Sequence, residues 1–312
     1  MAHRMNLESS IQQDPRIEDT YAEAFEMNYT RLIVTGFNRT WLEIAAAEFC
    51  GYGTSVIGCD AEAGIERFLL PEQTADGRPG VSILAFGFSS QELIKAVVNR
   101  AGQCLMTCPT TAVYNGLVPD DPEKLIPVGK FLRFFGDGFQ KSKKLGERRF
   151  WRVPVMDGEF ICEETLGVAK GIAGGNFIIQ SLDQESGLLA ASAAVKAISE
   201  IPDCITPFPG GVARSGSKVG SRYDNQIAST AEAFCPTLRG RVQSQLHPDA
   251  SCAYEVVIDA TNEPTVRESM RLGIQAALES DSSNRLLRIS ACLLYTSPSP
   301  RDQRGSRMPS SA

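Results

Sequence analysis

Apolar and polar residues along this chain fall into short runs whose spacing predicts strands and amphipathic helices in alternation. Residues 16–29, charged and aromatic, read as helical, and residues 32–35 as an apolar strand. Over residues 40–49, Trp41, Leu42, Ile44, Ala45 and Phe49 recur near helical spacing, and Gly51 and Gly53 stop that helix. A short strand at 54–57 follows, then a turn-rich insertion over 59–80 containing PEQTADGRPG. Residues 81–86 read as a strand, 91–101 as a helix with Leu93, Ile94, Val97 and Val98 on one side, and 104–106 as a fourth extended segment. The predicted order is β-α-β-β-α-β.

The second half repeats that order. A strand at 176–180 precedes an alanine-rich helix over 186–198, and 204–213 returns as an extended segment interrupted by Pro207, Pro209 and two glycines. After a long insertion, 252–258 is a strand and 263–278 a helix whose Val266, Met270, Gly273, Ile274 and Ala277 line one side. Residues 286–289 begin a closing strand, and residues 131–161 read as connecting β-hairpins. The expected fold class is α+β: two ferredoxin-like (β-α-β-β-α-β) lobes related by internal duplication. They would span 16–155 and 156–291, with 1–15 as a disordered extension. The plainer alternative is one mixed α/β sheet.

Composition narrows the function. The chain has 312 residues and a formal charge of −6, from 31 Lys+Arg against 37 Asp+Glu, which argues against a nucleic-acid partner. No window approaches a membrane span of about 18 apolar residues, and the first residues lack a signal-peptide core. Nine scattered cysteines fit a reducing compartment, so a cytoplasmic location is expected. Cys104 and Cys108 are the one close pair and no second pair completes a zinc site, so no metal is expected. With His3 and His247 the only histidines, catalysis falls to carboxylates, hydroxyls and backbone dipoles.

Three segments carry candidate chemistry. Residues 207–221, PFPGGVARSGSKVGS, offer glycines for close backbone approach and Ser, Arg and Lys donors for an anion or carbonyl. Gly211 and Gly216 are spaced as in a phosphate-binding loop, but Ser217 stands where that loop needs lysine and Lys218 comes one position late. Nucleotide binding is rejected, and an ordinary polar loop is the competing reading. Residues 171–176, GIAGGN, either bring backbone N–H groups to a substrate or form a bulge, the commoner meaning of paired glycines at a strand edge. In residues 252–258 alternation sets Ala253, Glu255 and Val257 on one strand face. If that face is covered, Glu255 is a desolvated acid suited to proton donation; if it meets water, Glu255 is merely solvated, as charged residues usually are.

Several blocks in order resemble one family, formylmethanofuran:tetrahydromethanopterin formyltransferase. They include IEDTYAEAF from Ile17, AEAGI from Ala61, DGRPG from Asp76, FFGDG from Phe134, GEFI from Gly158 and AGGNF from Ala173. PFPGG with Arg214, Ser215, Ser217, Lys218, Val219 and Gly220, CPT from Cys235 and YEVVI from Tyr254 complete the set, which covers residues 16–291. The resemblance implies a cytosolic enzyme of one-carbon metabolism without a prosthetic group. Methanofuran and tetrahydromethanopterin are its substrates, and the formyl group moves between the methanofuran amine and N5 of the pterin. It serves methanogenesis or, run the other way, formaldehyde oxidation. A homo-oligomer, dimer or tetramer, is implied, and in methylotrophs a formyltransferase/hydrolase complex. The family's acid/base glutamate falls on Glu255, through YEVVI. The substrate-binding candidates are Gly174, Gly175, Asn176, Pro209, Gly210, Gly211, Arg214, Ser215, Ser217 and Lys218. Where the family reads Ala-Ser-Thr-Asn, this chain has Ala231 in place of the asparagine. The competing function is a catalytically weak scaffold subunit of the formyltransferase/hydrolase complex.

The end of the chain reads differently. Residues 292–312 lack periodicity, are rich in Ser, Pro and Arg, and look like translated sequencing-adapter read-through, a non-native disordered tail. The family continues with a glycine-rich turn and a final strand, so the closing strand of the second lobe is expected to be lost and its neighbour left as an open edge.

Overall fold

The computed structural model describes residues 14–18, 22–119, 121–291 and 293–295. It divides into two compact units: residues 27–171, and residues 172 onward together with those up to 26. The first unit begins in strand β1 (Ala22–Thr35) and runs through α1 (Arg39–Cys50), β2 (Glu62–Leu69), β3 (Gly80–Gly87), α2 (Ser90–Arg100) and β4 (Ala112–Asn115). A meander of β5 (Lys141–Leu145), β6 (Arg148–Val155) and β7 (Gly158–Glu163) follows. The sheet order is β2-β3-β1-β4-β7-β6-β5, antiparallel except for the β4–β7 pair. Helix starts follow the capping residues: Asn38 accepts from the Trp41 N–H, and Ser89 from the Glu92 N–H. Leu42, Phe49, Leu93 and Val97 then pack with Leu32, Val34 and Ile83 in one core.

The second unit is built from β8 (Ala169–Ser181), α3 (Gln184–Ile198), β9 (Cys204–Ile205), β10 (Cys252–Ala260), α4 (Glu263–Ser280) and β11 (Leu286–Ala291). Its strands lie in the order β9-β10-β8-β11, all antiparallel, the same chain-to-space pattern as β2-β3-β1-β4. Asp183 and Asn262 cap the two helices. Val266, Met270, Gly273, Ile274 and Ala277 are all buried, as their spacing predicts. A Cβ on Gly273 would lie 2.8 Å from Ile198 Cδ1, so this glycine and the alanines of α3 let the two helices approach closely. Phe177 and Ile179 of β8 and Val256 and Ile258 of β10 face that helical layer.

Three expectations need correction. Residues 22–29, read as helical, belong to β1, whose Met27 and Tyr29 are buried. Residues 54–57 form a turn in which the Glu62 carboxylate accepts from the Val56 N–H at 3.0 Å. The strand lies at β2 instead, where buried Glu62 and Glu66 interrupt the apolar pattern. Residues 104–106 extend α2 as a wider helical turn, Ala101–Leu105, with Met106 N–H on Ala101 O, and the fourth strand is β4. The strand expected to begin at 286–289 is β11, which pairs with β8, Leu286 and Ile289 being buried in the second core; the expected loss concerns a further strand after residue 291, outside the described residues except for 293–295.

The compact division falls at residue 171, since β7 pairs with β4 and β6 of the first unit. The expected extension over 1–15 lies outside the described residues except for Asp14 and Pro15. So does the expected tail over 292–312, except for Leu293–Tyr295, which runs parallel to Ala22–Ala24.

Candidate active site

The face of β8 and β10 opposite the helices carries Asn176, Ile178 and Gln180 beside Ala253, Glu255 and Val257. The long segment between β9 and β10 lies over this face. Its beginning is tied to the free edge of β10, where Ala213 and Glu255 exchange backbone hydrogen bonds of 2.8 and 2.9 Å. Ile205 pairs with Asp259 and Ala213 with Glu255, so eight residues on this edge span four on β10. The surplus is the Pro209–Gly211 turn. Gly211 has φ of +76°, and a Cβ there would fall 2.6 Å from Val195 Cγ1. The far end of the segment is held by Gln180, fully buried, which accepts from the His247 N–H at 2.7 Å.

Glu255 therefore sits under cover, 5% exposed, and the desolvated reading holds. Its Oε1 accepts from the Asn176 side-chain amide and from the Ser217 hydroxyl, the latter at 2.6 Å. Its Oε2 is buried and has no hydrogen-bond partner among the described residues. Burial pushes the Glu255 carboxyl above its ordinary range, and the Ser217 and Asn176 donors oppose that shift without cancelling it. Because both donors occupy Oε1, the proton of the neutral acid resides on Oε2.

The other expected binding residues divide into two groups. Gly174 has φ of +83° at a β-bulge, and its N–H is committed to Asp259 Oδ1 at 3.0 Å. Gly175 pairs with Ile258, and the Gly211 N–H is spent on Phe208 O. These glycines shape the strand and the turn. Pro209, Gly210, Arg214 and Ser215 are exposed along the segment. Lys218 is exposed and pairs with Glu232 at 2.5 Å. Ala231, where the resemblance implies asparagine, donates its N–H to Ser215 O, and a Cβ on Gly216 would overlap its methyl at 2.5 Å. The departure thus adjoins the turn that presents Ser217.

Two site residues escaped sequence reasoning. Gln180 and Asp259 are both fully buried on the polar face of their strands. Their signal was present: Glu255, Val257 and Asp259 share one parity, and so do Asn176, Ile178 and Gln180. Among the described residues, no group of His, Cys, Asp and Glu is arranged to hold a metal ion, and no helix is long and apolar enough to cross a membrane.

Comparison with known proteins places the chain in one family. The sequence model of formylmethanofuran-tetrahydromethanopterin formyltransferase matches residues 11–155, and that of the family's proximal lobe matches residues 158–294. The formylmethanofuran–tetrahydromethanopterin formyltransferase of Methylobacillus flagellatus is 54% identical over 276 residues, covering 88% of this chain and 91% of that protein. The formyltransferase from Methanosarcina barkeri superposes with a TM-score of 0.81 at 42% identity, over 88% of this chain and 92% of that one. A chain of the Methylorubrum extorquens formyltransferase/hydrolase complex, solved with methylofuran, gives 0.83 at 46% identity, over 88% and 90%. The chain belongs to the formylmethanofuran–tetrahydromethanopterin formyltransferase family.

Proposed function

We propose that this chain transfers a formyl group between methanofuran and N5 of tetrahydromethanopterin, with Glu255 as the acid/base. Attack of an amine on the formamide carbonyl makes a tetrahedral oxyanion. The departing amine is a poor leaving group until it is protonated. Burial favours the protonated carboxyl, which delivers its proton from Oε2 to the departing nitrogen as the C–N bond breaks, and the carboxylate so formed takes up the proton released by the attacking nitrogen. Asn176 has a second amide hydrogen beyond the one given to Glu255, and Arg214 makes no ion pair among the described residues. These two are the donors proposed for the oxyanion, a role worth roughly 3–4 kcal/mol per donor. Direct transfer suits a site without a histidine-activated nucleophile. Pro209, Gly210, Gly211, Ser215 and Lys218 line the proposed substrate path, and the Gly174–Gly175 bulge aims Asn176.

The observation that carries this reading is the buried Glu255 carboxyl, with two donors on one oxygen and a free second oxygen. The two units are proposed as ferredoxin-like lobes related by duplication, a reading supported by their shared strand order. A homo-oligomer is proposed too, supported by Phe131, Phe134, Phe135 and Phe139, which are all more than half exposed within nine residues. A cytoplasmic location accords with the free cysteines. The purified chain, given formyl-tetrahydromethanopterin and methanofuran, is expected to transfer the formyl group unaided. Transfer only after addition of hydrolase-complex subunits would assign it the scaffold role instead.

A further inference from the structure

The first unit carries a cavity whose lining does not include Glu255 or any other residue placed in the candidate active site. Strands β5 and β6 pair Lys143 with Phe150 and Lys141 with Arg152, which sets Lys141, Lys143, Arg148, Phe150 and Arg152 on one face. A cavity of about 420 Å³ opens there. Its floor is aromatic: Phe150 and Tyr114 are 9% and 6% exposed, with ring centroids 6.1 Å apart, edge to face. Lys143, Arg148 and Arg152 form the rim.

The rim is preorganised for negative charge. Arg148 is gripped by Glu163 through Nε and Nη2, at 2.7 and 2.6 Å, while its guanidinium lies 5.1 Å from the Phe150 centroid. Arg152 reaches Glu159 through Nε and Nη2, at 2.7 and 2.5 Å, both on the single oxygen Oε2. Both guanidinium planes are thereby fixed, with Nη1 uncommitted among the described residues. Lys143, directly opposite Phe150, has no carboxylate partner among the described residues. The one carboxylate in the cavity, Asp76, is occupied by Arg78, the Thr35 hydroxyl and the Tyr114 hydroxyl. Five cations, counting Lys141 and Arg78, thus meet three carboxylates, on a chain whose net charge is −6.

Lysines on an edge strand also discourage pairing with other chains, and that explains the exposure of β5. It does not explain two clamped guanidiniums around a sunken aromatic floor. We propose that this cavity binds an oxyanion, a phosphate ester or a carboxylate, carried on an aromatic or apolar body that rests on Phe150. The test is calorimetric titration of the full chain with phenyl phosphate, benzoate and neutral benzyl alcohol. Phenyl phosphate or benzoate is expected to bind, and whichever is tighter identifies the ester or the carboxylate as the natural group. Binding should weaken about tenfold or more in Lys143→Gln/Arg152→Gln, weaken as salt is raised, and survive in Lys143→Arg. A melting temperature equal to the parent's establishes that the double variant is folded, and Lys143→Gln alone gives the same reading with less perturbation. The proposal is overturned if neither anion binds, if benzyl alcohol binds as tightly as the anions, or if the variants bind as the parent does.

Discussion

Ser217→Ala perturbs the proton inventory of the site without touching the acid itself. The Ser217 hydroxyl sits 2.6 Å from Glu255 Oε1, and a hydrogen bond to a charged group contributes about 1.5–3 kcal/mol. The neutral acid keeps part of that bond, so about half of it is differential. At 1.36 kcal/mol per unit, the Glu255 pKa should rise by roughly one unit when the hydroxyl is removed. The sign follows from which form gains more: the bond favours the carboxylate, so its loss favours the proton. In the proposed mechanism transfer requires protonated Glu255, and the rate therefore falls as pH rises through that pKa. In Ser217→Ala, this alkaline limb of kcat should move to higher pH by about one unit. The assay is steady-state formyl transfer by the purified chain across the neutral range. A limb that stays in place, or that moves to lower pH, would refute the assignment of Ser217 to the ionised form of Glu255.

Three further outcomes follow from the packing. Gly211→Ala puts a Cβ 2.6 Å from Val195 Cγ1 at a φ of +76°, and should cost about 2 kcal/mol or more in denaturant unfolding; an unchanged midpoint would count against the fitted turn. Arg31 clamps the fully buried Glu66 carboxylate through Nε and Nη2, both at 2.8 Å, so Arg31→Leu should destabilise by about 3–5 kcal/mol. Ala231→Asn returns the family's residue beside the Ser217 turn and should raise kcat/KM by about five- to tenfold, the value of roughly one hydrogen bond; no gain would remove position 231 from substrate contact.

Most of the second unit was legible before any coordinates. Its helices carry clean stripes of apolar residues, and YEVVI reads as a strand because little in it argues otherwise. The first unit was harder for a physical reason. Glu66 is buried in β2 on account of partners far along the chain, Arg31 and Ser82, and no local pattern announces those contacts. Residues 22–29 are rich in helix-forming Ala and Glu, yet β-sheet pairing with β3 takes up the strand from Asn28. The burial of Glu255 was likewise undecidable by inspection. Its cover is an aperiodic segment fastened at Ala213 and, across 67 positions, by Gln180 to His247. Asn176 and Ser217 were singled out for substrate, and the structure gives both a prior duty on the carboxyl of Glu255.

The central claim is that the Glu255 proton does the chemistry, and Glu255→Gln tests it most directly. Glutamine keeps an oxygen where Asn176 and Ser217 donate, so the covering segment should stay in place and the melting temperature close to the parent's. With the transferable proton gone, kcat for formyl transfer should fall by about 10²–10⁴-fold. A folded Glu255→Gln protein that turns over at nearly the parent rate would contradict the account.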